Sequence, residues 1–88
     1  MLLRWTTPAA NDLYTIVEHI QQDNPAAASE VAQAIYDGCD GLGRFPHRGR
    51  IDGTRELVFP GLPYIVVYRV HDQVVEITRI YHGAQDWP

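Results

Sequence analysis

Arginine, tyrosine and histidine stand close together near the end of this sequence, in the run "RIYHGAQDWP". Histidine is the side chain whose ordinary charge change falls nearest to neutral pH, so His82 could act as a general acid or base. Arg79, with Arg69 upstream, could hold a phosphate. The same run also suits a protein contact, because Tyr81 and Trp87 are of the residue types that anchor interfaces. These residues therefore leave two interpretations open, a catalytic edge and a binding patch.

The rest of the sequence shows no second catalytic or metal-binding pattern. His19, His47 and His71 are separated too widely to resemble a metal-ligand motif, and there is no Gly-rich phosphate loop or nucleophile–base pair. The single cysteine, Cys39, cannot form an intrachain disulfide, and we expect it to be a small buried apolar residue. The sequence predicts neither a metal nor a cofactor.

The charge of the chain argues against a dedicated nucleic-acid-binding protein. All seven basic residues are arginines, and eleven carboxylates leave a net charge of −4. Nucleic-acid binders usually carry the opposite sign, because neutralising phosphates supplies much of their affinity. Arg44, Arg48, Arg50 and Arg55 form the one local cluster, which is either a phosphate-binding patch or a solvated loop paired with nearby acids.

The length of 88 residues is enough for one domain, spanning 1–88, that buries about 60–65% of the surface of its unfolded chain. No stretch approaches the ~20 apolar residues of a membrane span, and the sequence does not open with a leader-like segment. We expect a complete, cytosolic protein.

A short strand and a helix are predicted at the start of the chain. The run "LLRW" at 2–5 is strand-like. Thr7 is a suitable N-cap and Pro8 suits the first position of a helix, where its missing N–H costs nothing. The apolar residues that follow have helical spacing and form one stripe, at Leu13, Ile16, Val17 and Ile20.

A second helix follows almost immediately. Asn24 and Pro25 repeat the signal of a cap followed by proline, and Gly41 and Gly43 end the run. Its apolar positions include Ala28, Val31, Ile35 and Leu42. Two helices joined by so short a link are predicted to form a hairpin.

The second half of the chain is rich in β-forming residues. Residues 44–53 lack periodicity and are predicted to be a loop. Val, Ile, Tyr and Phe then concentrate in the runs "RELVF" (55–59), "YIVVYRV" (64–70) and "VVEITRIY" (74–81). Their short connections predict an antiparallel meander. The predicted fold is therefore α+β, in the order β-α-α-β-β-β, with the helical hairpin packed on a four-stranded, mostly antiparallel sheet.

Alternation divides the third predicted strand into two faces. The face expected under the helices carries Tyr64, Val66, Tyr68 and Val70. The opposite face carries Ile65, Val67, Arg69 and His71. The second set leaves an apolar strip that no predicted element covers, which indicates a partner. In the last strand, strict alternation makes neither face clearly apolar, so its inner side stays unassigned.

The runs "TRELVF", "YIVVYRV" and "VEITRIYHGAQDWP", in this order behind a helical hairpin, make the chain resemble the RelE/ParE superfamily of type II toxin–antitoxin toxins. The resemblance covers essentially the whole chain and is most specific from Thr54 to Pro88. It implies a small cytosolic toxin from a plasmid-stabilisation type of module, neutralised by an antitoxin that wraps its surface. RelE-like members cleave mRNA on the ribosome, and ParE-like members inhibit DNA gyrase.

Three positions favour the ParE-like branch. RNA-cleaving members carry basic residues on the second strand and an arginine at the start of an Arg-Leu-Val-Tyr run on the third. Here Ile65 occupies the arginine position, and Glu56 and Val58 stand where lysines are typical. Stabilising charge on a phosphate requires cations at such places. We therefore expect a gyrase-directed inhibitor rather than an enzyme, with a RelE-like mRNA endonuclease as the alternative.

This interpretation assigns the residues to two surfaces. The target is expected to contact Arg79, Tyr81, His82 and Trp87. The antitoxin is expected to contact Arg55, Ile65, Val67 and Arg69. If the chain were instead a metal-independent ribonuclease, the catalytic residues would be His82, Arg79 and Arg69. A binding module of the same fold without toxicity is a third possibility.

Overall fold

The helices pack on one face of a five-stranded sheet. A computed structural model describes residues 1–47, 50–52 and 54–83, and for 50–52 the backbone alone. The elements are β1 (Leu2–Trp5), α1 (Thr7–Asp23), α2 (Pro25–Leu42), β2 (Arg50–Asp52), β3 (Thr54–Val58), β4 (Tyr64–His71) and β5 (Val74–His82). The predicted α+β architecture is confirmed, and the predicted strands agree with β1, β3, β4 and β5 to within one residue at each end.

The strands lie in the order β1-β5-β4-β3-β2. β1 is parallel to β5, and the other pairs are antiparallel. The short strand β2 falls inside residues 44–53, which were predicted to be a loop, and it pairs with β3 along the edge of the sheet. Its three residues have no periodicity of their own, so the hydrogen bonds offered by β3 produce a strand that no local pattern marks.

Polar caps fix the starts of both helices. The N-cap of α1 is Thr6, whose Oγ1 accepts a hydrogen bond from the N–H of Ala9 at 3.2 Å. The prediction of Thr7 was wrong by one residue because two threonines precede the proline, and tertiary contact selects the first: Thr6 Oγ1 also donates to the carbonyl of Thr78 at 3.0 Å. Asn24 caps α2 as predicted.

The core lies between the helices and the inner face of the sheet. Its buried members are Ala9, Ile35, Cys39, Leu42, Leu57, Val66, Tyr68, Val75, Ile77 and Ile80. The predicted inner face of β4 is therefore confirmed at Val66 and Tyr68. The hydroxyl of Tyr68 donates to the carbonyl of Pro46 at 3.0 Å, which satisfies this buried polar group. Burial raises the pKa of Cys39 to about 12, so its thiol stays protonated and unreactive.

A bulge in β5 decides which side of this strand faces the core. Val67 of β4 pairs with Arg79, and the next residue, Tyr68, pairs with Ile77. Thr78, which lies between these two residues of β5, is therefore one extra residue without a partner in register. The Oγ1 of Thr78 donates to the carbonyl of Val67 at 3.0 Å. The buried side of β5 consequently holds Val75, Ile77 and Ile80. Strict alternation would put Ile80 on the other side, which is why the sequence alone left this face unassigned.

The turn between β4 and β5 carries a conformational cost that can be relieved. Asp72 and Gln73 have positive φ values of 49° and 63°, as in a type I′ turn, where Gly is favoured at the second position. We expect Gln73→Gly to stabilise the protein by about 0.5 kcal/mol, because relief of the left-handed conformation exceeds the entropy cost of glycine. That corresponds to a rise of about 2–4 °C in Tm.

Differential scanning calorimetry tests this expectation. The control is Gly61→Ala, which should lower Tm because Gly61 has a φ of 80° and alanine is strained there. A Gln73→Gly variant that melts below the wild type would contradict the assignment of strain to this turn.

Candidate functional site

The candidate site is the face of the sheet turned away from the helices, called here the outer face. Paired residues on neighbouring strands stand side by side, so the side chains form rows across the sheet. The apolar row is Val58, Ile65 and Tyr81. The middle row is Glu56, Val67 and Arg79. The arginine row is Arg69, Glu76 and Arg4. Arg79 and Tyr81, which were expected to bind the target, therefore share one surface with Ile65, Val67 and Arg69, which were expected to bind the antitoxin.

The apolar surface of the outer face differs from the expected strip. Val67 is only 4% exposed, and its neighbours in the row, Glu56 and Arg79, have long side chains that flank it. Val58 is 49% exposed, while Ile65 is half-buried. The accessible apolar patch thus lies in the apolar row, and Val67 offers little area to a partner.

Arg79 is held by a carboxylate from α1. Its Nε and Nη2 donate to the two carboxylate oxygens of Asp12 at 2.8 and 3.1 Å, and the N–H of Ile80 donates to the same carboxylate at 2.9 Å. This bidentate pair raises the pKa of Arg79 above its ordinary value. The guanidinium carbon also lies 5.3 Å from the ring centroid of Tyr81. Sequence reasoning missed Asp12, since it is 67 positions away and its local pattern shows nothing unusual.

Glu76 organises the arginine row. It is 8% exposed, and its Oε1 accepts a hydrogen bond from Nη2 of Arg69 at 2.9 Å. Nε of Arg4 lies 3.9 Å from Oε2, and Nε2 of His71 lies 3.7 Å from Oε1. The hydrogen bond from Arg69 is the main cause that lowers the pKa of Glu76, and it outweighs desolvation. The carboxylate therefore remains charged at neutral pH, holds Arg69 by a hydrogen bond and attracts Arg4 at a longer distance.

His82 lies apart from these arginines. It is exposed, and its ring meets that of Tyr64 edge to face, with centroids 5.5 Å apart. Alternation after the bulge puts His82 on the opposite side of β5 from Tyr81. The three residues named for a ribonuclease therefore do not lie on one face, because Arg69 and Arg79 belong to the outer face.

Of the other predicted residues, Arg55 does not lie on the outer face. Arg55 pairs with Tyr68, so alternation turns it toward the helix side, away from Ile65. Trp87 lies outside the described residues, as does Arg48 of the predicted arginine cluster. The roles proposed for Arg55 and Trp87 remain predictions.

A second apolar surface lies on the helix side and is called here the helix groove. It is a cavity of about 400 Å³ whose lining includes Trp5, Leu13, Tyr14, Val17 and Tyr36. The rings of Trp5 and Tyr36 stack with centroids 6.2 Å apart. Tyr14 and Tyr36 are 68% and 57% exposed. The sequence analysis missed this groove because both tyrosines fall outside the apolar stripes.

The residues described by the structure include no group of three His, Cys, Asp or Glu side chains that could hold a metal ion. In the same part of the chain, neither helix has the length and apolar character needed to cross a membrane. The described side chains that give the outer face its chemistry are arginines, carboxylates, His71 and the apolar row.

Comparison with known families assigns this fold. The model of the family described as "ParE toxin of type II toxin-antitoxin system, parDE" matches residues 3–87. The chain belongs to the ParE toxin family. The match includes every helix and strand of the structure except Leu2, the first residue of β1, and it confirms the resemblance to the RelE/ParE superfamily.

Similar proteins agree with membership of the ParE toxin family. The putative toxin Y4kP of Sinorhizobium fredii is 40% identical in an alignment of 89 positions that covers 98% of this chain and 92% of that protein. Toxin RelE2 of Caulobacter vibrioides is 40% identical in an alignment of 83 positions that covers 92% of this chain and 93% of that protein. A solved structure described as the chromosomal ParDE TA system from P. aeruginosa contains a chain that is 30% identical, with a TM-score of 0.82 and coverage of 93% of this chain and 95% of that chain.

The arginine row of this ParE-family toxin predicts a pH dependence of stability. The folded state lowers the pKa of Glu76, so its contribution is present above the ordinary carboxyl pKa of about 4.3 and is lost as the pH falls through the folded value. We expect Glu76→Gln to melt below the wild type at pH 7 and the difference in Tm to shrink as the pH is lowered toward 3.

Thermal melts monitored by circular dichroism between pH 7 and pH 3 measure this difference. Glu18→Gln is the matched control for the loss of one negative charge, since Glu18 is exposed on α1. A difference between Glu76→Gln and the wild type that is constant across this range would show that ionisation of Glu76 does not stabilise the fold.

Proposed function

We propose that this ParE-family chain is the toxin of a plasmid-stabilisation type of module, acts in the cytoplasm by inhibiting DNA gyrase, and is neutralised by a cognate antitoxin. The observation that carries the proposal is the hydrogen bonding of Arg69 and Arg79, two of the three arginines of the outer face, to carboxylates of the same chain. Arg79 forms two hydrogen bonds with Asp12, and Arg69 forms one with Glu76.

Ion pairing of this kind disfavours RNA chemistry on the outer face. Metal-free cleavage of RNA needs cations that are available to the phosphate in the transition state. Here the internal carboxylates already neutralise much of the arginine charge, and Ile65 supplies none where RNA-cleaving members have an arginine. Glu56, which is 5% exposed, adds a carboxylate beside them. A phosphate backbone would meet a surface of mixed charge within a chain of net charge −4.

The composition of the apolar row supports a protein target. Tyr81 is half-buried beside Ile65, and the guanidinium of Arg79 lies over its ring. Tyrosine and arginine are among the residues that dominate binding energy in interfaces. The bidentate pair with Asp12 holds Arg79 in place, so less side-chain entropy is lost when a partner packs against it.

The same geometry supports neutralisation by competition. The target residues Arg79 and Tyr81 are direct neighbours of Val67 and Ile65, which were assigned to the antitoxin. An antitoxin segment that covers the apolar row would therefore block the target surface. The helix groove offers the same antitoxin a second apolar contact on the other side of the molecule.

A RelE-like mRNA endonuclease is the second candidate. The name of the relative RelE2 favours it, since that protein is 40% identical over nearly the whole chain. His82 at the exposed end of β5 is the residue that this activity would use as its acid or base.

The gyrase inhibitor and the mRNA endonuclease predict different results in two assays of the purified toxin. We expect it to inhibit gyrase supercoiling or to trap cleaved DNA, and to leave mRNA on translating ribosomes intact. Toxin saturated with antitoxin is the control in both assays. Codon-dependent cuts in the mRNA, with supercoiling unaffected, would replace the proposed function with the second candidate.

Substitution of His82 distinguishes a role in contacting the target from a role in catalysis. Loss of a general acid or base typically lowers the rate by a factor of ~10²–10⁴, whereas a peripheral contact contributes less than about 1 kcal/mol, or roughly fivefold. We expect His82→Ala to reduce toxicity by less than about fivefold and Trp87→Ala to reduce it more, since aromatic anchors dominate interface energies.

Growth after induction at graded expression levels measures both effects. His19→Ala is the matched control, because His19 is exposed on α1. An inactive His82→Ala that is folded and still binds antitoxin, together with a fully toxic Trp87→Ala, would identify His82 as catalytic.

A further inference from the structure

The arginine row carries more positive than negative charge. Arg4 and Arg69 flank a single carboxylate, Glu76. His71 approaches the same carboxylate from β4 and faces Asp72 of the adjoining turn at 3.7 Å. At neutral pH Arg4, Arg69 and Glu76 give the row itself a surplus of one positive charge on a chain of net charge −4, and the exposed Asp72 of the adjoining turn adds one negative charge next to the row. This corner of the outer face is suited to an anionic group from another molecule.

Both arginines have hydrogen-bonding capacity to spare. Arg69 donates to Glu76 through Nη2, and the Nε of Arg4 stays 3.9 Å from the carboxylate. A guanidinium has five N–H donors, so most of them point elsewhere. The side chains of Arg4 and Arg69 are 70% and 56% exposed. Because the hydrogen bond to Glu76 already orients Arg69, a second carboxylate can bind Arg69 at a reduced entropic cost, with Arg4 beside it as a second cation.

The distance from the arginine row to the apolar row constrains the ligand. Along β4, Ile65 and Arg69 lie on the same face four positions apart, which corresponds to about 13 Å at roughly 3.3 Å per residue. An extended polypeptide has the same spacing between side chains four positions apart. A segment with an apolar residue and an acidic residue at that spacing therefore matches both ends of the outer face.

The middle row favours a polypeptide over a nucleic acid. Glu56 lies between the two ends of the outer face, and Asp12 accompanies Arg79 at its border. Arg79 is already paired with Asp12, so a phosphate backbone that followed the face from one end to the other would gain little attraction in the middle row. A peptide can cross the middle row with neutral backbone or with small side chains.

We infer that Arg4 and Arg69 bind an acidic side chain of an antitoxin segment whose apolar side chain packs on the apolar row. This inference rests on the proposed function, which supplies the antitoxin, but not on the identity of the target. It gives a role to Arg4, which the sequence analysis did not assign. It also predicts that an attraction between opposite charges guides the antitoxin to the outer face.

The affinity of the purified toxin for the antitoxin encoded with it tests the inference, measured by calorimetry at 50 and 500 mM NaCl. We expect Arg4→Glu to raise Kd at least about tenfold at low salt and much less at high salt, because salt screens exposed charges. Arg69→Lys should raise Kd several-fold, since it keeps the charge and loses the planar fork. Arg44→Glu is the matched control, an identical change of charge at an exposed residue after α2.

A complementary change in the antitoxin completes the test. Among antitoxin variants in which single Asp or Glu residues are replaced by Arg, we expect one to restore binding to Arg4→Glu and to weaken binding to the wild type. If Arg4→Glu proves unfolded by circular dichroism, Arg4→Gln replaces it, with a smaller rise in Kd expected.

Three results would overturn the inference. The first is an unchanged Kd for the Arg4 variants, and the second is an equal rise in Kd for Arg4→Glu and Arg44→Glu. The third is binding of a single-stranded RNA oligonucleotide that Arg4→Glu abolishes while antitoxin affinity stays unchanged. Each of these results is a measured binding affinity of the toxin and does not depend on its activity. A failure to inhibit gyrase would therefore contradict only the proposed function.

Discussion

One inserted residue in β5 governs how the rest of the chain is arranged. Thr78 allows Ile80 to enter the core on the same side as the residues before it, and it turns Arg79 and Tyr81 to the outer face. Two hydroxyls hold the bulge: Thr78 donates to the backbone of β4, and Thr6 donates to the carbonyl of Thr78. Since Thr6 is also the N-cap of α1, the start of the helix and the irregularity of the strand are fixed together.

Beyond the bulge, one carboxylate of α1 binds both the backbone edge of β5 and a side chain of the outer face. β1 ends at Trp5, opposite Ile77, so the following part of β5 has no β1 residue in register beside it. Asp12 accepts the N–H of Ile80 there and binds Arg79 with the same carboxylate. The carboxylate that accepts the N–H at this exposed edge thus also holds the side chain of Arg79 in place. At the other end of the outer face, Glu76 is buried and forms an ion pair with Arg69 in the arginine row.

Local patterns predicted most of the fold and little of the site. Helical stripes, proline-led caps and β-rich runs gave the elements in the correct order, because each reflects a preference of a few adjacent residues. The short strand β2 and the bulge depend on hydrogen bonds from a neighbouring strand, so no local signal marks them. The site depends even more on distant contacts. Arg69 and Arg79 were identifiable as polar residues on strands, but their partners Asp12 and Glu76 were not, since only the folded sheet and α1 bring these carboxylates to the arginines.

The parallel pairing of β1 with β5 has a consequence for the order of events during synthesis. Thr6 and Thr78 meet although they are 72 positions apart, and β5 fills the place between β1 and β4. Contacts of such separation form late. The sheet therefore cannot be completed before β5 has left the ribosome, and Arg4 cannot join Arg69 and Glu76 until then. A nascent chain lacks the complete outer face, and its three rows of side chains arise in the same folding step because each includes a residue of β5.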